Sequence, residues 1–213
     1  MTVNQDLSLL LLAGGRGSRL GRDKPAVPFP APGDPPLIAT VHRLLAPLAV
    51  GCLVAGPTSF GLPCRVVGDA PGIRGPLGGL VAGLLASDTE LVLAAAADLP
   101  LVEPGLAQHM VERARERPAA MAVVCARGGR LEPLFAVYRR AAAGRLEEAA
   151  VDAPAHRGPS LRSCLYLLDP LVITEDGWRP FDPRGSSFQG CNTPEEMDAA
   201  ARFAISRDSG GDP

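Results

Sequence analysis

The chain of 213 residues predicts an α/β fold in three layers, with a mixed and mostly parallel sheet between two layers of helices. Three observations carry this expectation. Short apolar segments alternate with helical stretches through the first half, the pattern of a parallel-centred sheet with helices on both faces. One segment, Leu91–Ala96, is apolar without interruption, as expected of a strand covered on both faces. A glycine-rich turn directly follows the first apolar segment, where such sheets put a ligand crevice.

Leu7–Leu12 reads as a buried strand, and the glycine-rich turn runs from Ala13 to about Lys24. Pro36–Leu48 has helical period, with Leu37, Val41, Leu44, Leu45 and Leu48 on one face. Gly51–Ala55 and Arg65–Val67 are short strands. Gly75–Ala86 starts as a loop and becomes a small-residue helix, and Glu103–Arg117 is a helix with a charged outer face. Met121–Ala126 and Leu134–Tyr138 read as strands joined by the turn Arg127-Gly128-Gly129-Arg130. That hairpin breaks the alternation and makes the sheet mixed. Arg139–Ala150 and Ser160–Leu168 read as helices. Thr193-Pro194-Glu195-Glu196 is a helix start, with Thr193 as N-cap, Pro194 first in the helix and Glu196 closing a capping box. The helix is expected to run to about Ile205. Residues 1–206 are read as one domain and 207–213 as a flexible polar tail.

Composition removes several function classes. With 21 basic and 23 acidic residues the net charge is −2, so there is no electrostatic footprint for nucleic acid. Aromatics are only 4%, which gives no stacking platform for single strands. No apolar run approaches the roughly 20 residues of a membrane span. The N-terminus has no Lys or Arg before its short apolar run and carries Asp6, unlike a signal peptide. The 5 cysteines are odd in number and lack CxxC spacing. Neither a zinc site nor a disulfide framework is therefore expected. They read as small buried hydrophobes in a reducing, cytoplasmic compartment. His42, His109 and His156 show no metal-ligand spacing.

Four segments carry candidate chemistry. In Leu11–Lys24 the glycines Gly14, Gly15, Gly17 and Gly21 let backbone N–H groups approach a phosphate, while Arg16, Arg19, Arg22 and Lys24 add positive charge. The spacing is neither a P-loop, since Lys24 precedes Pro25, nor GxGxxG. Asp98 ends the buried strand at the crevice, a natural Mg²⁺ ligand beside substrate phosphates. Its structural alternative is a turn before Pro100. Asp69 follows the short Arg65–Val67 strand, and Gly75–Gly79 opens the next helix. Here an Asx turn and tight helix–sheet packing are the alternatives, and packing stands level with a ligand role for Gly78, Gly79 and Gly83. Asn192 offers donor and acceptor beside the capped helix. Thr193 and Glu196 read as caps, Trp178 as packing.

Taken in order, these residues resemble the molybdenum cofactor guanylyltransferases, within the nucleotidyltransferases of the Rossmann-like nucleotide-diphospho-sugar transferase fold. The resemblance spans about Leu7 to Arg202. Its motifs are the Leu-Ala-Gly-Gly…Arg…Gly…Asp-Lys signature at Leu12–Lys24, Gly75–Gly79, Asp98–Pro100, Pro133–Tyr138 and Asn192–Glu196. Gly15 and the Asp23-Lys24 pair favour the guanylyl branch. The resemblance implies GMP transfer from GTP to the phosphate of molybdenum–molybdopterin, releasing pyrophosphate, with Mg²⁺ as cofactor. It further implies nucleotide contacts from Leu12, Ala13, Gly14, Gly15, Lys24, Asp69 and Asp98. Lys24, Asp98 and Arg19 would be catalytic, Asp98 would hold the metal, and Asn192 would face the pterin. Molybdoenzymes or other cofactor-biosynthesis proteins would be partners. Three positions depart from the family pattern: Ala55-Gly56 and Gly190, where Asn is usual, and Glu132, where Gln or His is common. A CTP-using or sugar-phosphate relative, or a non-catalytic nucleotide-binding protein, remains an alternative.

Overall fold

Alternation along the first strand sets the layers. In β1 (Asn4–Leu12), Leu7, Leu9 and Leu11 face one core and Leu10 and Leu12 the other, all buried. The computed structural model describes residues 4–14, 24–73, 75–151 and 159–208. On the first face, α1 (Leu37–Leu45) and α3 (Pro104–Glu116) bring Val41, Leu45, Leu106 and Met110 into one core with the sheet. On the second, α2 (Pro76–Ala86), α4 (Ala142–Val151) and α5 (Leu161–Leu165) bring Leu80, Leu84, Leu146 and Leu165. Full burial of such side chains is worth roughly 1.5–3 kcal/mol each. Ser8, a buried polar residue of β1, accepts from Thr89 Oγ1 at 2.8 Å.

The other strands are β2 (Ala49–Ala55), β3 (Arg65–Val67), β4 (Leu91–Ala96), β5 (Ala122–Arg127), β6 (Arg130–Arg139) and β7 (Leu171–Ile173). The seven-stranded sheet has order β3-β2-β1-β4-β6-β5-β7. Only the pairings of β6 are antiparallel. The expected mixed, mostly parallel sheet is therefore observed. Every residue of β4 is buried, as its unbroken apolar run predicts. The hairpin turn holds Gly128 at φ 55° and Gly129 at φ 73°, two left-handed positions that suit a tight hairpin. From β3 the chain crosses back past β2 and β1 to reach β4. The strand order thus reverses at β1 and β4, and the crevice lies at their carboxyl ends.

Several local expectations are corrected. The segment expected to be helical from Arg139 begins its helix only at Ala142. Arg139 ends β6, where its buried guanidinium donates to the carbonyls of Ala120 and Ala114 and pairs with Glu90. Ser160–Leu168 divides into α5, capped by the Ser160 hydroxyl, and a 3₁₀ turn over Tyr166–Leu168. The strand β7 and the short helix α6 (Glu175–Trp178) are additions. The last helix, α7 (Pro194–Asp208), runs beyond Ile205, and Arg207 pairs with Glu103 at 2.6 Å. Cys52 and Cys64 form a disulfide, contrary to the expectation from cysteine spacing. The parallel pairing of β2 with β3 aligns residues whose separation in sequence has no motif. Cys125, Cys164 and Cys191 are buried, as expected. No helix among the described residues is long and apolar enough to cross a membrane.

Candidate active site

The floor of the site is the laced ends of four parallel strands, β3, β2, β1 and β4. Ala13 N donates to Ala55 O at 2.8 Å, and Ala97 N donates to Leu12 O at 3.0 Å. Gly56 N donates to Val67 O at 3.1 Å. These bonds continue the ladder past the strands and hold the Leu12-Ala13-Gly14 backbone between the β2–β3 side and the β4 side. Asp69 lies on the first side. A Cβ on Gly14 would stand 3.7 Å from Asp69 Oδ1, and one on Gly79 would stand 3.5 Å from it. Asp98 lies on the second side, two residues past the end of β4.

Lys24 opens a 3₁₀ turn, Lys24–Ala26, anchored by Leu37 N donating to Val27 O at 2.8 Å. Its Nζ donates to Asp98 Oδ2 at 2.6 Å and to Asn192 Oδ1 at 2.9 Å. The Lys24 and Asp98 side chains are 18% and 24% exposed, shielded yet open to a ligand. Three residues separated by most of the chain thus share one contact. The loop carrying Asn192 is pinned by Cys191 N donating to Asp98 O at 3.0 Å. The capping box is formed: Glu196 N donates to Thr193 Oγ1 at 3.2 Å, and Glu196 Oε2 accepts from Thr193 N at 3.1 Å and Asn192 N at 2.6 Å. The cap therefore also fixes the backbone of Asn192. A Cβ on Gly190 would lie 3.2 Å from Asn192 Nδ2 and 3.5 Å from Asp98 Oδ2. Burial pushes the Cys191 thiol up to about 12, with the Asp98 charge adding to the effect. It stays protonated at neutral pH and offers no nucleophile.

A cavity of about 590 Å³ adjoins Asn192, with Arg127, Arg184, Phe188, Gln189 and Phe203 among its walls. The size is that of a small-molecule site. Its arginines lie over aromatic rings, Arg127 5.8 Å from the Phe188 centroid and Arg184 5.2 Å from that of Phe203. Asp182 shapes this wall. Its buried carboxylate accepts from Ser186 N, Ser186 Oγ and Ser187 N at 2.8–3.0 Å. Trp178 is packing, with Nε1 donating to Ala126 O at 2.8 Å and its ring edge-on to Phe188. The sequence reading missed Arg127, Arg184 and Asp182. The turn-type run Asp182-Pro183-Arg184-Gly185-Ser186-Ser187 was the available signal for the last.

The predicted residues Leu12, Ala13, Gly14, Lys24, Asp69, Asp98 and Asn192 all gather at this end of the sheet. Gly15 and Arg19, with Arg16 and Arg22, lie outside the described residues. Gly83 is a packing glycine, because a Cβ there would overlap the Leu10 side chain. Gly78 and Gly79 also approach neighbours closely, Gly79 with a Cβ position 3.1 Å from Ala55 Cβ. Asp98 fits a divalent cation of the magnesium type, which takes one or two carboxylates and leaves other positions to phosphates. Asp98 belongs to no three-ligand protein set among the described residues.

Residues 9–164 match the family model described as the MobA-like NTP transferase domain. The chain belongs to this MobA-like NTP transferase family. A "probable molybdenum cofactor guanylyltransferase" of Chloroflexus aggregans is 31% identical over 200 residues, covering 92% of this chain and 94% of the relative. The molybdenum cofactor guanylyltransferase of Pseudomonas aeruginosa is 35% identical over 194 residues, covering 88% and 91%. Among solved structures, molybdopterin-guanine dinucleotide biosynthesis protein A from Archaeoglobus fulgidus superposes with a TM-score of 0.77 at 24% identity, covering 93% of this chain and 98% of that one. A 4-diphosphocytidyl-2C-methyl-D-erythritol synthase from Anaerococcus prevotii has the same fold, with a TM-score of 0.62 at 13% identity and 94% and 99% coverage. The MobA-like chain is thus a nucleotidyltransferase, and the resemblance read from its motifs is shown. Nucleotidyltransferases of this kind generally work with a divalent metal.

Proposed function

We propose that this protein transfers GMP from GTP to the terminal phosphate of molybdenum–molybdopterin. A phosphate oxygen of the acceptor attacks the α-phosphorus of GTP. The bond from the α-phosphorus to the bridging oxygen breaks, and pyrophosphate departs. The observation that carries this reading is Lys24 joining Asp98 to Asn192, which lines the adjoining cavity. Donor nucleotide and acceptor would meet at that cation.

The roles follow from position. The backbone of Leu12, Ala13, Gly14 and Gly15 would hold the nucleotide phosphates, and Asp69 would face the nucleoside. Lys24 and Arg19 would neutralise the departing pyrophosphate. Asn192 would orient the pterin, and Arg127 and Arg184 would hold the acceptor in the adjoining cavity. Asp98 would hold Mg²⁺, which when bound supplies charge neutralisation to phosphate oxygens. No protein nucleophile is required, so catalysis is positioning and electrostatic stabilisation. We read residues 1–206 as one catalytic unit, a reading supported by α7 packing Ala200 and Ala201 against Phe29 and Leu37. A cytoplasmic location accords with a GTP substrate, and molybdoenzymes or other cofactor-biosynthesis proteins would take the product.

The test is thermal unfolding with GTP, CTP, UTP and ATP, each with and without Mg²⁺. Ligand at about a hundred times Kd adds roughly 2.7 kcal/mol, a rise of about 5–10 °C for a chain of this size. A rise selective for GTP supports the reading. A rise with CTP moves the protein to a sister activity, and no rise with any nucleotide overturns the proposal.

A further inference from the structure

Away from this site, His42, Cys52 and Cys64 meet at the edge of the sheet. His42 is on α1, Cys52 is within β2, and Cys64 directly precedes β3. One ligand-capable atom from each lies within 4.8 Å of the others, and each residue is half-buried. Among the described residues this is the only group of three or more His, Cys, Asp or Glu side chains so arranged. His42 offers an imidazole ring nitrogen, a lone-pair donor, to this group. Cys52 and Cys64 are joined in the structure, with Cα atoms 4.8 Å apart. The remaining thiols are different in kind. Burial raises the pKa of Cys125, Cys164 and Cys191, and none of them belongs to such a group.

Two sulfurs and one imidazole form a borderline-soft donor set of the type that selects zinc. With Zn–S near 2.3 Å and Zn–N near 2.0–2.1 Å, tetrahedral ligand atoms lie about 3.3–3.8 Å apart. That spacing falls inside the 4.8 Å that these atoms span. In a reducing compartment the dithiol is the favoured form of a cysteine pair.

We propose that the reduced pair Cys52 and Cys64, together with His42, binds one Zn²⁺, with a solvent or added ligand in the fourth position. A dithiol or phosphine reductant delivers two electrons to the S–S bond, two protons come from water, and two thiols result. Zinc binding then displaces one proton from each thiol. A peroxide can reverse this: it takes two electrons from the metal-bound thiolate pair and two protons from solvent and leaves as water, while the disulfide re-forms and Zn²⁺ is released. Disulfide and zinc site are thus alternative closures of the same corner, tying α1 to β2 and β3 only in the metal-bound form.

The experiment uses the full chain, reduced with a phosphine and desalted without oxygen, with its free thiols counted. Co²⁺ is titrated as the probe and Zn²⁺ as its competitor. The expected result is a thiolate-to-cobalt charge-transfer band with tetrahedral visible bands, saturating at one equivalent and erased by Zn²⁺. The oxidised chain should show neither band, a control that needs no variant. Cys52→Ser and Cys64→Ser should each lose the charge-transfer band, with an unchanged far-ultraviolet dichroism spectrum. His42→Ala should weaken Zn²⁺ binding by about tenfold or more. Absence of the band in reduced wild type with both thiols free overturns the proposal. So does a band that survives the double serine variant, or a disulfide that no reductant opens in the folded chain.

Discussion

Gly78→Ala places a methyl group where the structure has no room for it. The added Cβ would run into the carbonyl oxygen of Ile73 and stand 3.2 Å from Asp69 Cβ. The obstacle is backbone, so no side-chain rotation relieves it. The loop is also tied down by Ala70 N donating to Gly78 O at 3.1 Å. Overpacking by one methyl costs about 1–3 kcal/mol. Alanine recovers about 0.5–1 kcal/mol over glycine in a helix. The net loss is up to about 2.5 kcal/mol, or a Tm lowered by up to about 10 °C in a chain of this size. Gly144→Ala is the matched control, since a Cβ there meets nothing within 4 Å on an exposed turn of α4. It should raise Tm by a similar small amount, because only the helix gain remains. Calorimetry on both variants gives the comparison. Nucleotide titration of Gly78→Ala adds a second readout, for the loop that must shift carries Asp69. A Tm at or above wild type for Gly78→Ala, with nucleotide affinity unchanged, would refute the steric argument.

Other perturbations test other links. Lys24→Ala removes a charge-assisted bond worth about 1.5–3 kcal/mol, so kcat/KM measured by pyrophosphate release should fall about 10- to 150-fold. Asp98→Ala should abolish the stimulation of that release by Mg²⁺, and retained stimulation would remove Asp98 from its role. Burial holds His42 and His109 below the ordinary imidazole value, and Arg113 adds to the effect at His109. The unfolded chain therefore takes up these protons at higher pH than the folded chain. Stability should rise with pH through the window below about 6.5 and level off above it. Tm against pH checks the sign, and His42→Gln should flatten part of the slope. Thr193→Ala removes the acceptor of Glu196 N and should cost about 0.5–2 kcal/mol, read as a lower Tm.

Local rules recovered what local sequence determines. The Leu91–Ala96 run identified the central strand because burial on both faces leaves no polar position. Asp98 stood out because a carboxylate ending such a strand must sit at the crevice. The Asn192–Glu196 box was readable because capping is a short-range exchange of hydrogen bonds. The strand β7 was missed because three residues, Leu171–Ile173, are too few to show a period. Arg139 was given to a helix because its pull into the strand end comes from distant carbonyls. The meeting of His42, Cys52 and Cys64 has no sequence spacing at all, since parallel pairing and helix packing create it. Arg127 and Arg184 were likewise invisible as neighbours, because the hairpin and the Asp182-centred loop bring them to one cavity.

The lengths of the outermost strands have a consequence for self-association. The sheet closes on β3 at one side and β7 at the other, each only three residues long. The longer strands β1, β4 and β6 are paired on both sides. An incoming chain would find a ladder of at most three residues at either border. Strand pairing that short is marginal in water, and brief outer strands are one means by which proteins deter cross-β templating. A chain with five leucines in its nine-residue first strand therefore keeps its most aggregation-prone backbone in the middle of the sheet, where no second molecule can reach it without unfolding the first.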